Sequence, residues 1–294
     1  YLTSATMALE AGLCDVALIV YGSNQRTASG RLVTASRPPA YEAPYNPRYP
    51  ISAYAMAAAR HMHEFGTTRE QLADVAVAAR AWAQHNPEAF ERGPLSREDV
   101  LGARMVGDPL TVRDCCLVTD GGGAIVMVRA DRARDFPKAP VYVLGSAAES
   151  SHRQISQMKD FTVTAARESG ARAFAAAGVS PSDIQAVELY DAFTINTILF
   201  LEDLGFCAKG EGGAFVEGGR IAPGGVLPVN TNGGGLSCVH PGMYGIFTVI
   251  EAARQIRGDA PGIQLKDVDL ALAHGNGGVL SSQVTAILGS QNTL

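Results

Sequence analysis

Glu188-Leu189-Tyr190-Asp191-Ala192-Phe193 reads as the end of an apolar strand, 184–189, running straight into a helix over 190–204. A strand that opens into a helix is where α/β sheets place ligands, because side chains and helix N–H groups converge there. Asp191 is placed to cap that helix, and Tyr190 presents a phenol at its start. A half-buried ring whose hydroxyl meets one backbone group is an equally good account of Tyr190.

Downstream, Asn230-Thr231-Asn232-Gly233-Gly234-Gly235-Leu236-Ser237-Cys238-Val239-His240-Pro241-Gly242-Met243-Tyr244-Gly245 opens a helix over 243–258, in which Ile246, Val249, Ile250 and Ala253 recur at helical spacing. The glycines let backbone approach a bound group, and the helix start offers N–H donors to an anion or a thioester oxygen. Asn232, Gly233, Gly234 and Gly235 are therefore candidate binding residues, with His240 and Tyr244 as candidate catalytic groups beside them. Neither the GxxxxGK[ST] nor the GxGxxG frame is present, which argues against a nucleotide phosphate. Cys238 reads as a small apolar filler. Two closing strands, 268–273 and 281–288, flank His274-Gly275-Asn276-Gly277-Gly278, a turn built from Asn and Gly with His274 at its mouth.

Upstream, residues 1–11 form a helix closed by Gly12 and lead into 15–21, a continuous apolar run expected to be a buried, parallel strand. Pro38, Pro39, Pro44, Pro47 and Pro50 forbid regular structure before helices at 51–65 and 69–85, the second capped by Thr67 or Thr68. Residues 24–108 read as an insertion over the sheet, which resumes as strands 114–118 and 124–129 around a tight turn, Asp120-Gly121-Gly122-Gly123. Strand 141–145 and an Ala-rich helix, 162–177, stopped by Gly178, begin a second block. Strands alternating with helices in two blocks predict an α/β fold with parallel sheets.

Apolar residues at 47% and charged residues at 18% predict a soluble globular enzyme rather than a disordered chain. A net charge of −5 without a basic stripe removes the source of nucleic-acid affinity. Five cysteines with no CxxC pair predict reduced thiols and no zinc, and His61, His63, His85 and His152 have no ligand spacing, so no metal is expected. No run approaches the ~20 apolar residues of a membrane span and no secretory leader is visible, which predicts a cytoplasmic protein with no membrane contact. The chain opens at Tyr1 already in helical pattern.

Taken together, the 15–22 strand after a small-residue helix, Asp120-Gly121-Gly122-Gly123-Ala124, Tyr190-Asp191-Ala192-Phe193, Asn232-Gly233-Gly234 with His240-Pro241, and His274-Gly275-Asn276-Gly277-Gly278 resemble the thiolase superfamily in the right order. The resemblance is closest to its sterol-carrier-protein-type and lipid-transfer-protein-like branch. It implies two related α/β halves stacked as α-β-α-β-α layers with a loop insertion, the N-terminal part being absent. Residues 1–23 and 109–140 would be the remainder of the first half, 24–108 the insertion, and 141–294 the second half. A homodimer and a small OB-fold acyl-CoA-binding subunit are the implied partners, and no cofactor is implied beyond the CoA of the substrate.

The resemblance also places roles. The thiolase nucleophile falls just ahead of Tyr1, the acid/base Cys positions hold Ala192 and His274, Tyr190 replaces an Asn or His, and His240 matches the family's Gly-His-Pro element with Val239 in place of Gly. A pocket without the acid/base thiol but with tyrosines resembles the bacterial steroid side-chain aldolases, implying retro-aldol cleavage of a β-hydroxyacyl-CoA. His240 and the Gly233–Gly235 N–H groups would hold the enolate oxygen, Tyr190 and Tyr244 would move protons, and Asp191 and Gly277 would line the substrate. A Tyr base would need its pKa lowered by His240 or His274. The alternatives are a thiolase acting on a β-ketoacyl-CoA and a non-catalytic acyl-CoA or lipid-binding subunit.

Overall fold

The computed structural model describes residues 1–29 and 38–294; the part of the expected insertion between them lies outside the described residues. Helix α1 (Leu2–Glu10) leads into β1 (Val16–Ser23). Next come α2 (Ile51–Phe65), α3 (Arg69–Ala83), α4 (Arg97–Leu101) and the short strands β2 (Met105–Gly107), β3 (Leu110–Thr111), then β4 (Gly121–Val128). The second block is β5 (Tyr142–Ser150), α5 (Ala166–Ala177), β6 (Ala186–Leu189), α6 (Thr194–Asp203), α7 (Gly212–Val216), α8 (Gly245–Arg257), β7 (Leu270–Gly277) and β8 (Ser282–Gly289).

The second block is one sheet in the order β5-β8-β7-β6. Only β6 and β7 run parallel; the other pairs are antiparallel, so the sheet is mixed where a parallel one was expected. The β7–β8 hairpin is the reason: a direct reversal pairs two strands antiparallel, whereas β6 reaches β7 by a long crossover through α8. Alternation along β6 sets up both faces. Val187 and Leu189 join the core beneath α5 and α6, while Ala186 packs with Ala252 of α8 and with Ala271 and Ala273 of β7.

β1 pairs with β4 alone, antiparallel, from Val16 opposite Val128 to Ser23 opposite Gly121. The expected buried parallel strand is thus one half of a two-stranded ribbon, and Leu18 and Val20 are each 65% exposed, because no other element among the described residues covers that face. The three glycines of 121–123 lie within β4 and not in a turn. A side chain at Gly121 would collide with Val239, and one at Gly123 with Ile250, so their smallness lets α8 lie close on the strand.

Residues 114–118 form no strand. Asp114 Oδ2 accepts from both N–H and Oγ1 of Thr111 at 2.8 Å, coiling Val112–Asp114 into one 3₁₀ turn. The N–H groups of Cys116 and Leu117 are then spent on Ala192 O and Gly235 O, which ties this segment to the Tyr190 loop and the Gly-rich loop.

Helices α2 and α3 fall where the spacing puts them, and Thr68 is the cap, in a reciprocal box with Gln71. His61 is fully buried: Nε2 lies 3.0 Å from Glu202 of α6 and Nδ1 2.7 Å from Thr67. Lys209 closes the same cluster at 3.0 Å from Glu202 and 2.6 Å from Asp203, pinning the insertion to the core. Among the described residues no helix is long and apolar enough to cross a membrane.

Candidate active site

Helix α6 starts at Thr194, four residues later than the sequence suggests, because the residues before it are used elsewhere. Leu189 N–H donates to Asn230 Oδ1 at 2.7 Å, Tyr190 N–H to His274 O at 3.0 Å, and Phe193 is extended. Asp191 does not cap α6. Its carboxylate turns to the Gly-rich loop and accepts from Gly235 N–H at 2.6 Å and Leu236 N–H at 3.3 Å. Burial pushes that carboxyl up to about 7, against the two backbone donors, which favour its charged form.

The strand end thereby presents Tyr190 to the loop that precedes α8. The Tyr190 hydroxyl lies 3.1 Å from His240 Nε2, and the two rings meet edge-on at 5.6 Å. Tyr244 meets Tyr190 at 5.8 Å and 89°, and its hydroxyl donates to Asn232 Oδ1 at 2.9 Å. His240 is held by reciprocal bonds with Thr119, N–H to Oγ1 at 3.0 Å and O from N–H at 3.2 Å, while Tyr21 donates to Pro241 O at 2.5 Å. Tyr190, His240, Tyr244, Asn232 and Asp191 therefore form one cluster.

Burial decides its protonation. It lowers His240 to about 4, so the imidazole is neutral at pH 7. It raises both Tyr190 and Tyr244 above the ordinary phenol range, so neither is a phenolate at rest. A neutral His240 offers no positive charge to lower a tyrosine.

Three expectations fail on geometry. The N–H groups of Gly233, Gly234 and Gly235 are all taken, by Asn230 O at 2.8 Å, Asn232 Oδ1 at 2.7 Å and Asp191 Oδ1 at 2.6 Å, so they are not free for a thioester oxygen. His274 lies inside β7, fully buried against Phe200, with Nδ1 2.9 Å from Thr285 Oγ1 and Nε2 3.0 Å from Gln283 Oε1. Both its nitrogens are occupied, which leaves it no vacant position for proton transfer. Gly277 ends β7 opposite Ser282, where its neighbours are hairpin residues and not the tyrosine cluster.

Sequence reading missed Cys116 and Tyr54. Cys116 is tied to the Tyr190 loop by its N–H bond to Ala192 O at 2.8 Å, and burial raises its thiol, which is neutral at pH 7. Tyr54 of α2 stacks on Phe193 at 4.3 Å and accepts from Asn276 Nδ2 at 2.9 Å. Asn276 in turn accepts from Gln283 at 2.8 Å, so Tyr54, Asn276, Gln283, His274, Thr285 and Ser169 form one buried polar chain. The apolar i, i+3, i+4 pattern of α2 marks Tyr54 as core, and nothing local ties it to a site 136 residues away in the sequence of Tyr190.

A mixed sheet carrying helices on both faces, with a glycine loop and a Tyr–His pair at the strand ends, defines a thiolase-like α/β enzyme. Residues 147–290 match the thiolase C-terminal domain-like family. The chain is 40% identical over 283 residues to an acetyl-CoA acetyltransferase of Methanothermobacter thermautotrophicus, covering 94% of this chain and 73% of that one. It is 36% identical to a steroid side-chain-cleaving aldolase of Thermomonospora curvata, covering 86% and 68%. Among solved structures, an Ltp2-ChsH2(DUF35) aldolase superposes with a TM-score of 0.89 at 34% identity, over 100% of this chain and 77% of that one. An SCP2-thiolase-like protein type 1 from Mycobacterium smegmatis shares the fold, with a TM-score of 0.74 at 20% identity over 98% of this chain and 58% of that one. The chain belongs to the thiolase superfamily, among its lyases and acyltransferases.

Proposed function

We propose that this chain cleaves the Cα–Cβ bond of a β-hydroxyacyl-CoA by a retro-aldol step, the acyl group being a steroid side chain or a similar lipid. The observation that carries the reading is the Tyr190–His240 pair at 3.1 Å, with Ala192 and His274 at the places where thiolases keep an acid/base thiol. The β-hydroxyl proton moves to the Tyr190 oxygen as the phenol proton moves to the neutral Nε2 of His240. The Cα–Cβ bond breaks, leaving a carbonyl product and a thioester enolate, the enolate carbon takes a proton from Tyr244, and the proton gained by His240 is returned to the Tyr244 phenolate to reset both groups to their neutral resting forms. Asn232 Oδ1, the partner of Tyr244, is an amide oxygen that takes no proton, so Tyr244 keeps its own until the carbanion forms.

Charge on the thioester oxygen needs a fixed donor. With the glycine N–H groups occupied, that donor is Asn232 Nδ2, which has no hydrogen-bond partner among the described residues, while Oδ1 is locked by Gly234 N–H and Tyr244. In this reading the enzyme works in the cytoplasm as a homodimer with a small OB-fold acyl-CoA-binding subunit. The match to an aldolase solved with a DUF35 partner supports the subunit.

A second reading, acyl transfer through a covalent intermediate, is favoured by the 40% identity to an acetyl-CoA acetyltransferase. Incubation with a β-hydroxyacyl-CoA and, separately, with a β-ketoacyl-CoA plus CoA separates the two. Release of a ketone or aldehyde from the first supports the aldolase; thiolysis of the second with a trapped acyl adduct overturns it.

A further inference from the structure

Behind the Gly-rich loop, on the face of β6 that looks toward α8, two buried carboxyls meet at one hydroxyl. Glu188 is 0% exposed and Glu251 2%. Thr231 Oγ1 lies 2.7 Å from Glu188 Oε1 and 2.7 Å from Glu251 Oε1. A hydroxyl has one proton and donates it once. Two carboxyl oxygens at that distance need two protons between the three atoms, and the second has to sit on a carboxyl. Gln255 Nε2 does not supply it: at 3.1 Å from Thr231 Oγ1, 3.0 Å from Glu251 Oε1 and 3.0 Å from Ile263 O, it approaches from the side.

A second observation agrees. Glu188 Oε2 and Glu251 Oε2 are buried with no hydrogen-bond partner among the described residues, which a neutral acid tolerates far better than a carboxylate. The other ionisable groups bearing on the pair are Asp191, Tyr244, Cys238, Glu88 and Arg254, and the single cation among them is already held by Glu88 at 2.7 Å.

We propose that Glu188 and Glu251 share one proton through Thr231, and that this clamp is a positioning device which fixes residues 230–232 and, through Asn232, the Tyr244 phenol. The loop needs holding. Asn230 sits in the left-handed region at φ 54°, which Asn adopts more readily than other non-glycine residues, and its side chain accepts from Leu189 N–H at 2.7 Å, so the clamp at Thr231 fixes the next residue of a bent segment. Thr231 N–H adds a bond to Glu188 Oε1 at 3.2 Å. The catalytic consequence rests on the retro-aldol reading; the shared proton does not.

Infrared spectra of the full chain at neutral pH test the proton directly. A deuterium-sensitive C=O band of a protonated carboxyl, additional to the one Asp191 contributes with its pKa raised to about 7, is expected in the wild type and in Thr231→Ser, and that additional component is lost in Glu188→Gln and Glu251→Gln, where the amide supplies the missing hydrogen. Both carboxyls are raised by desolvation, so the fold binds an extra proton. Stability from it is full below the ordinary carboxyl pKa of ~4.3 and is lost as pH rises through the pair's folded value, a slope that either Gln variant flattens. An unchanged band and slope in both Gln variants overturns the shared proton. Thr231→Val is expected to lower kcat roughly 10- to 100-fold at little change in KM, with recovery in Thr231→Ser; normal kcat in Thr231→Val overturns the positioning role. Absence of turnover in the wild type on a β-hydroxyacyl-CoA counts against the retro-aldol reading alone, because the band and the slope are still read.

Discussion

His240 in the Gly-rich loop and His274 in strand β7 share a protonation state and differ in everything else. Burial lowers each to about 4, so both are neutral at pH 7. His274 has hydrogen-bond partners on both nitrogens, in a fully paired strand. His240 has one ring nitrogen against a phenol, and no side-chain partner for Nδ1 among the described residues. A perturbed pKa therefore does not separate site from scaffold in this molecule. The partner does: a phenol at His240, a locked amide and a threonine hydroxyl at His274.

The strongest way to break that contrast is to remove the Tyr190 hydroxyl. Tyr190→Phe is expected to cost ~10²- to 10⁴-fold in turnover with the fold intact by circular dichroism, and His240→Ala a similar amount. A comparable loss in His274→Asn, in a protein of unchanged stability, would erase the distinction. Tyr244→Phe comes next, with a loss of ~10²-fold or more in kcat measured at saturating substrate. Asn232 keeps its Gly234 bond in that variant, so the loop stays ordered.

His274→Ala sharpens the comparison from the other side. It strands Gln283 Oε1 and leaves Thr285 Oγ1 with Ser169 alone, and is expected to cost ~1–3 kcal/mol in urea unfolding, while turnover per folded molecule changes by less than about 3-fold. The smallest effect is in pH. With folded pKa values of about 4 for both histidines, the fold binds fewer protons than the unfolded chain. Their stability contribution is full above the unfolded value of ~6.5 and is lost as pH falls toward ~4. His274→Gln should reduce the fall in Tm over that window, and an unaltered Tm profile would count against a neutral His274.

Much of the scaffold is legible because its signals are local. Thr68 with Gln71 announces the start of α3, Gly178 at φ 69° ends α5, and α8 shows its apolar spacing. The cluster of Tyr190, His240, Tyr244 and Asn232 is legible as two motifs, though not as one site. Several of the failures share a cause, which is glycine. Gly121-Gly122-Gly123 looks like a turn because glycine is the residue of turns, yet the requirement comes from Val239 and Ile250, more than a hundred residues later. Asn276-Gly277 looks like the reversal, but the ladder continues to Gly277 and the chain turns after it. The unavailability of the Gly233–Gly235 N–H groups was invisible for the same reason: their acceptors include Asp191, which sequence alone assigns to the nearer helix.

The buried polar chain through His274 has a direction. Gln283 Nε2 donates to two carbonyl-type oxygens, Asn276 Oδ1 and Leu280 O, so its Oε1 faces His274 and requires a hydrogen on Nε2. Nδ1 is then bare and takes the Thr285 hydroxyl, which takes Ser169 in turn, while at the far end Asn276 donates to Tyr54. Dipoles from α5 to α2 are aligned head to tail, and because Gln283 is held by Asn276 and Leu280, the other tautomer of His274 would break its bond to Gln283. The insertion and the sheet are thus joined by orientation as well as by packing, and Tyr54 has one way round in which to sit.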